Sequence, residues 1–278
     1  MPDQLSPRPI LDHIVILVSY ESLSTLPERL HALTVIPGGE HADGLTVNKL
    51  VILADGSYLE FIAFNEGLDP ARRRSHRWGS LEEGRIVDWA YTLPHEADFG
   101  LVQQRVRDGG AGVTYTDPVA GGRVRPDKAV LKWAVASARD AAGDPVWPGD
   151  APFWCLDRTD RHLRVPYEEG GEVLDHAKHP SKVRGISKVE IRVAEKDLPT
   201  WKPVYEAIHN IDQDSAGDRD GWSFDVHSSA AQGIHKVFLS TLQDTDTKSE
   251  IRLTFLGTDE SPKTIELLPG LVLDVESA

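Results

Sequence analysis

The chain has 278 residues, 40% hydrophobic and 27% charged, with 23 Gly and 18 Pro; that soluble-globular composition excludes disorder, collagen and coiled coil and allows one large core or two modest ones. Lys and Arg number 30 against 44 Asp and Glu, a formal charge of −14 that repels a phosphate backbone or an anionic leaflet, so neither nucleic acid nor membrane is expected as a partner. The single cysteine, Cys155, excludes an intrachain disulfide, and the polar, Pro-rich Met1–Pro9 carries no export signal, which together lead us to expect a cytoplasmic protein.

Ile10–Val18 is almost continuously Ile, Val and Leu, which favours a strand buried on both faces. Leu23, Leu26, Leu30 and Leu33 then recur at helical spacing, with Pro27 near a helix start. A short strand near Thr34–Ile36, turn formers at Pro37–Gly39, an apolar stretch Leu45–Leu53, an Asp55–Gly56 hairpin turn and a return strand Tyr58–Phe64 complete a β-α-β-β-β unit. The order repeats with Ile86–Leu93, a helix Glu96–Arg107 closed by Gly109–Gly110, and strands at Val113–Asp117, Ala129–Ala138 and Phe153–Asp157. Asp140–Asp150 reads as a loop and Tyr167–Arg184 as a polar linker. From Gly185 the pattern starts again: a strand Ile186–Val193, a helix Pro199–Ile208, and strands Ile234–Leu242, Glu250–Leu256 and Thr264–Val275. The chain therefore divides into residues 1–180, with two modules over about 10–65 and 86–158, and residues 181–278, with a third, partial module. Repeats of this length are too long for a solenoid and suggest duplicated half-domains that pair their sheets.

His13 stands in the middle of the first apolar strand, where a period of two groups it with Val15 and Leu17 and sends Ile14, Ile16 and Val18 to the opposite layer. Glu60 is placed likewise within Tyr58–Ile62, and a carboxylate there must be paired, protonated or bound to a cation. Imidazole with carboxylate is a usual ligand set for zinc, manganese, nickel or iron. The plainer alternative is a Glu60 hydrogen-bonded to Lys49 or an arginine and a His13 satisfied within the core. Asn48 in an apolar strand, and Arg125, Lys132 and Trp133 bracketing another, are candidates to orient an anionic or carbonyl-bearing substrate, unless they belong to a surface hairpin. The sequence holds no phosphate loop ahead of a helix and no GxSxG elbow.

Three segments, Leu11-Asp12-His13-Ile14-Val15, Pro37 to Asn48 (PGGEHADGLTVN) and Asp55 to Phe64 (DGSYLEFIAF), together resemble the glyoxalase-like domain family of the vicinal oxygen chelate superfamily. Weaker echoes are Arg125-Pro126-Asp127, Leu131-Lys132-Trp133, Pro152-Phe153-Trp154-Cys155 and His179-Pro180, so the resemblance covers roughly residues 10 to 195. It implies an α+β fold in which paired βαβββ modules form a cupped half-barrel, with the third module at the C-terminus. It also implies one divalent metal (Zn, Mn, Ni or Fe) held by the first and last strands of the modules. The positions so indicated are His13 and Glu60, then Asp88 and Leu156 or its neighbour Asp157. Leucine cannot ligate a metal, which leaves a facial triad of His13, Glu60 and His41, open positions filled by water or substrate, or no metal. His41 follows Gly38 and Gly39, where a loop either folds it into the cup or leaves it solvated.

The activity the resemblance implies is metal-dependent lyase or isomerase chemistry on a small carbonyl or enol substrate, with Glu60 and His41 moving protons. Iron would direct the same geometry to a dioxygenase, and a degenerate cup would sequester a small molecule without transforming it. The cup closes within one chain or across a homodimer.

Overall fold

The computed structural model describes residues 8–125, 128–210, 221–228, 233–242 and 249–277. Its first module runs β1 (Ile10–Leu17), α1 (Tyr20–Arg29), β2 (Ile36–Glu40), β3 (Thr46–Ile52) and β4 (Tyr58–Phe64). The Ser19 hydroxyl caps α1 by accepting from the Ser22 N–H at 3.0 Å. Pro27 falls near the end of α1 and not at its start, with only Glu28 and Arg29 beyond it, so its missing N–H removes the single bond it would have made back to the Leu23 carbonyl. A short helix α2 (Pro70–Ser75) leads to the second module: β5 (Arg85–Thr92), α3 (Phe99–Asp108), β6 (Thr114–Tyr115), β7 (Val119–Val124), β8 (Val130–Ala136), β9 (Ala138–Arg139) and β10 (Phe153–Asp157).

Eight of these strands form one sheet in the order β2-β3-β4-β1-β5-β10-β8-β7. Its centre is the antiparallel pair β1/β5, flanked by the parallel pairs β1/β4 and β5/β10. The two modules are thus related by an approximate twofold through the middle of the sheet. The sheet curls until its edge strands approach, since a Cβ added to Gly39 on β2 would lie 3.2 Å from Arg123 Nη1 on β7. Both edge strands of this sheet differ from the sequence expectation. Pro37–Gly39 lies within edge strand β2 and is not a turn; an edge tolerates Pro, and a Cβ at Gly38 would sit 1.9 Å from Asn48 Oδ1. Strand β7 has no counterpart in the sequence reading, because Ala120-Gly121-Gly122 lacks the β-branched residues that mark strands.

The chain continues through α4 (Arg161–Arg164) and a small hairpin of β11 (Glu168–Glu169) and β12 (Glu172–Val173). Beyond them stand β13 (Gly185–Val193), α5 (Leu198–His209), β14 (Trp222–Ser223), β15 (Lys236–Thr241), β16 (Ser249–Gly257), β17 (Thr264–Leu268) and β18 (Leu271–Ser277). Thr264–Val275, expected as one strand, is therefore the hairpin β17/β18, turning at Gly270 with φ +84°. The six strands order as β14-β15-β13-β16-β18-β17. An antiparallel centre β13/β16 is again flanked by parallel pairs, β13/β15 and β16/β18. The C-terminal part is thus a reduced copy of the whole first sheet and not a single third module. One apolar core runs between the sheets and includes Ile14, Ile16, Phe61, Trp89 and Trp154 from the first and Val189, Ile191, Tyr205 and Phe255 from the second. That core buries the convex face of the first sheet and leaves its concave face as a cup. Among the described residues no helix is long and apolar enough to cross a membrane.

Candidate active site

Strand pleat decides what enters the cup. A register shift between Leu11 and His13 puts Leu11 with Ile14 and Ile16 in the inter-sheet core, while Val15 and Leu17 take the concave side with Ile62, Phe64, Ala90, Phe153 and Cys155. The cup is a cavity of about 410 Å³, within the range of about 300–1,000 Å³ usual for small-molecule sites. The structure brings His13, His41, Asn48, Glu60 and Trp133 to its wall, together with Tyr58, Trp78, Phe153 and Arg123.

His13 is 3% exposed, stacked on Tyr58 at 4.7 Å between ring centroids and met edge-on by Phe153 at 5.2 Å. Its Nδ1 lies 2.5 Å from Asp12 Oδ1, so Nδ1 carries the donated proton and Nε2 faces the cup, 3.7 Å from Glu60 Oε2. Asp12 has no exposed surface and accepts from Arg161 Nη1 and Arg164 Nη2, each at 2.7 Å. Burial alone would raise its carboxyl, but the Arg164 and Arg161 charges and the His13 bond hold it well below the usual carboxylate range. Asp157 accepts from Arg164 Nε at 2.7 Å and Arg161 Nη1 at 3.2 Å, completing the network beneath His13.

His41 lies just past β2, its Nδ1 2.7 Å from Thr46 Oγ1 and its Nε2 3.6 Å from Glu60 Oε1. Glu60 Oε1 also accepts from Asn48 Nδ2 at 2.5 Å. Two imidazoles, each tied through Nδ1, thus aim Nε2 at opposite oxygens of one buried carboxylate from beyond hydrogen-bonding distance. This donor set suits a divalent cation: a two-histidine, one-carboxylate triad whose imidazoles are oriented from behind. The tighter cluster Asp12, His13 and Cys155, with donor atoms within 4.8 Å of one another, does not suit one. Asp12 is engaged by two guanidinium groups, and burial pushes the Cys155 thiol well up, keeping it neutral.

Three expected residues are not presented to the cup. Asp88, expected as a ligand, accepts from Arg77 Nε at 2.5 Å, Trp78 Nε1 at 2.8 Å and the Gly149 N–H at 3.2 Å, leaving its oxygens no room for a metal. Lys132 is exposed, because it alternates with Trp133 along β8 and takes the other face. Arg125 lies beyond the end of β7 and donates to the Leu163 carbonyl at 2.9 Å; the arginine lining the cup is Arg123. Leu156 is also explained, since it points into the inter-sheet core and never occupied a ligand position. The twofold partners of the first module's pair come from Ala90 and Cys155. Ala90 pairs with Phe153 as His13 pairs with Tyr58, and Cys155 and Glu60 each follow two residues later. At the positions equivalent to His13 and Glu60 the second module therefore presents Ala90 and the buried, neutral Cys155 thiol.

Sequence reasoning passes over Asp12, Arg123, Arg161 and Arg164. An acid beside His13 in an apolar strand was the available signal for Asp12; the arginines lie far away in sequence, and only the fold brings them in.

A sequence profile for the glyoxalase-like domain matches residues 11–208, and no curated protein matches the chain in sequence. A hypothetical protein from Staphylococcus aureus superposes with a TM-score of 0.66 at 14% identity, over 97% of this chain and 100% of that one. A xylose isomerase-like TIM barrel/4-hydroxyphenylpyruvate dioxygenase fusion protein gives 0.49 at 13% identity, over 93% of this chain and 39% of that one. A variant of 4-hydroxymandelate synthase from Streptomyces coelicolor gives 0.47 at 13%, over 91% and 72%. Only the first superposition is close enough to bear on the fold, and it says nothing of chemistry.

Proposed function

The chain belongs to the glyoxalase-like domain family, and from that premise we propose that it is a metal-dependent enzyme acting on a small oxygen-rich carbonyl or enol substrate, of lyase or isomerase type. The observation that carries this reading is the convergence of His13 Nε2 and His41 Nε2 on the two oxygens of Glu60, at 3.7 and 3.6 Å. His13, His41 and Glu60 would hold the ion, which when bound supplies a Lewis acid for a carbonyl or enolate oxygen.

The remaining roles fall to the chain itself. Asp12 holds His13 in the tautomer that leaves Nε2 free. Asn48 engages Glu60 Oε1, so Oε2 is left to take a proton from the carbon next to the carbonyl, a step worth about 10²–10⁴ in rate. Trp78, Trp133 and Phe153 exclude water along the apolar wall. The same two-histidine, one-carboxylate set is the one non-haem iron oxygenases use, and on that observation an iron-dependent dioxygenase is the second reading.

The test is solvent deuterium exchange, followed by NMR, in a panel of small 2-hydroxycarbonyl compounds with protein loaded in turn with zinc, manganese, nickel and iron. Exchange that needs both metal and Glu60, and is lost in Glu60→Gln, supports the enzyme. Oxygen uptake with iron alone supports the second reading. Tight binding with neither exchange nor oxygen uptake under any metal overturns both in favour of a sequestering protein.

A further inference from the structure

The cup wall holds three guanidinium groups, and two of them are matched. Arg77 pairs with Asp88, and Arg164 with Asp12 and Asp157. Arg123 has no carboxylate partner among the described residues, and its Nη1 is buried without a hydrogen bond. Burial draws its pKa down, against the pull of Tyr58 and Glu60, and the buried Nη1 is left with neither a protein partner nor solvent.

The surrounding backbone is bare. Gly39 faces Arg123 Nη1, where a Cβ would come within 3.2 Å, and a Cβ at Gly121 would come within 2.7 Å of Trp133 Nε1. Arg123 thus packs its Nη1 against the β2 backbone and lines the same cavity as Tyr58, Trp78, Trp133 and Phe153. A planar fork of donors matches two oxygens of a carboxylate or of a phosphate; because the other two guanidinium groups of the wall are committed to carboxylates, the one remaining charge balances a carboxylate better than a doubly charged phosphate.

We propose that Arg123 binds the carboxylate of the substrate, so that the cup takes small planar carboxylic acids whose second oxygen function lies toward His13, His41 and Glu60. The placement of that second oxygen rests on the metal-enzyme reading; the carboxylate clamp rests on Arg123 alone.

The experiment is calorimetric titration of the metal-loaded protein with benzoate, phenylpyruvate and phenylglyoxylate, each compared with its primary amide, and with inorganic phosphate as a competitor. Wild type is expected to bind at least one acid about tenfold or more tightly than its amide. Arg123→Gln should abolish that preference with metal content and circular dichroism unchanged, and Arg123→Lys should keep the charge yet lose about tenfold in acid affinity because the fork is gone. Should Arg123→Gln not fold, Arg123→Lys decides. Acids and amides binding alike, no acid binding at millimolar concentration, an acid preference surviving in Arg123→Gln, or phosphate displacing the acids with equal affinity would each overturn the assignment. Metal content measured on the same samples separates the two readings. Metal-free protein with an Arg123-dependent acid preference removes the metal enzyme and keeps the clamp, and metal-replete protein blind to the carboxylate does the reverse.

Discussion

Asp12→Asn is the perturbation whose consequences follow most fully from the geometry. The carboxylate is 0% exposed and bonds His13 Nδ1 at 2.5 Å and Arg161 and Arg164 at 2.7 Å. Breaking a buried ion pair by neutralising one partner costs about 3–5 kcal/mol. Asp157 still pairs with both arginines, which places the expected loss near the lower end, about 3 kcal/mol. At about 2–4 °C per kcal/mol for a chain of this size class, Tm should fall by about 6–12 °C. The asparagine amide also no longer enforces one His13 tautomer, so metal affinity should drop about 10–100-fold. Thermal melts and competition titration against a chelator read both. There is a pH signature as well. Because the folded Asp12 pKa is held well below its usual 3.8, its stabilisation is fully present above that value and lost as pH falls toward the folded one, an acid-side slope that Asp12→Asn should lack. A variant that melts within about 1 °C of wild type and binds metal as tightly would refute the view that Asp12 anchors His13.

Gly38→Ala would bring a Cβ to 1.9 Å from Asn48 Oδ1 and 2.9 Å from the Asn48 carbonyl, pushing the amide off Glu60. Metal affinity should fall about tenfold, as for other groups that orient a ligand, and an unchanged chelator titration would contradict this. His179 and His209 are held neutral by burial, each with its pKa lowered from 6.5 to about 4. His179 Nδ1 accepts from the Thr34 N–H at 3.0 Å, as a neutral ring can. Above pH 6.5 both are neutral whether the chain is folded or not; between 6.5 and about 4 the unfolded chain takes up protons that the folded one refuses, so stability falls as pH falls. Urea unfolding should show a loss of about 2 kcal/mol per histidine between about pH 7 and about pH 5, and a flat profile across that interval would count against the assignment.

How much was legible in the sequence follows from physical range. Ile10–Leu17 and Tyr58–Phe64 are buried on both faces, so their composition alone marks them as strands, and the alternation that separates His13 from Ile14 needs no tertiary information. Local composition cannot see Arg123, because β7 owes its place to pairing with β8 and not to its own residues. Asp88 illustrates the opposite failure. A buried acid on a central strand invites a metal, yet Arg77 and Trp78, brought back by the loop after α2, satisfy one oxygen and the Trp89 and Gly149 N–H groups the other. Leu156 misled by one residue: the facing position on β10 is Cys155, and pairing with β5, not sequence, sets which of the two enters the cup.

The central claim is that His13, His41 and Glu60 hold one divalent ion, and X-ray absorption spectroscopy on protein purified from metal-replete culture, with its metal content quantified, tests it most directly. The expected spectrum shows two imidazoles and a carboxylate around the ion in wild type and one imidazole in His41→Ala, with near-total metal loss in His13→Ala and Glu60→Gln. Folded wild-type protein that retains no metal, or an ion whose ligands are unchanged by His13→Ala, would contradict it.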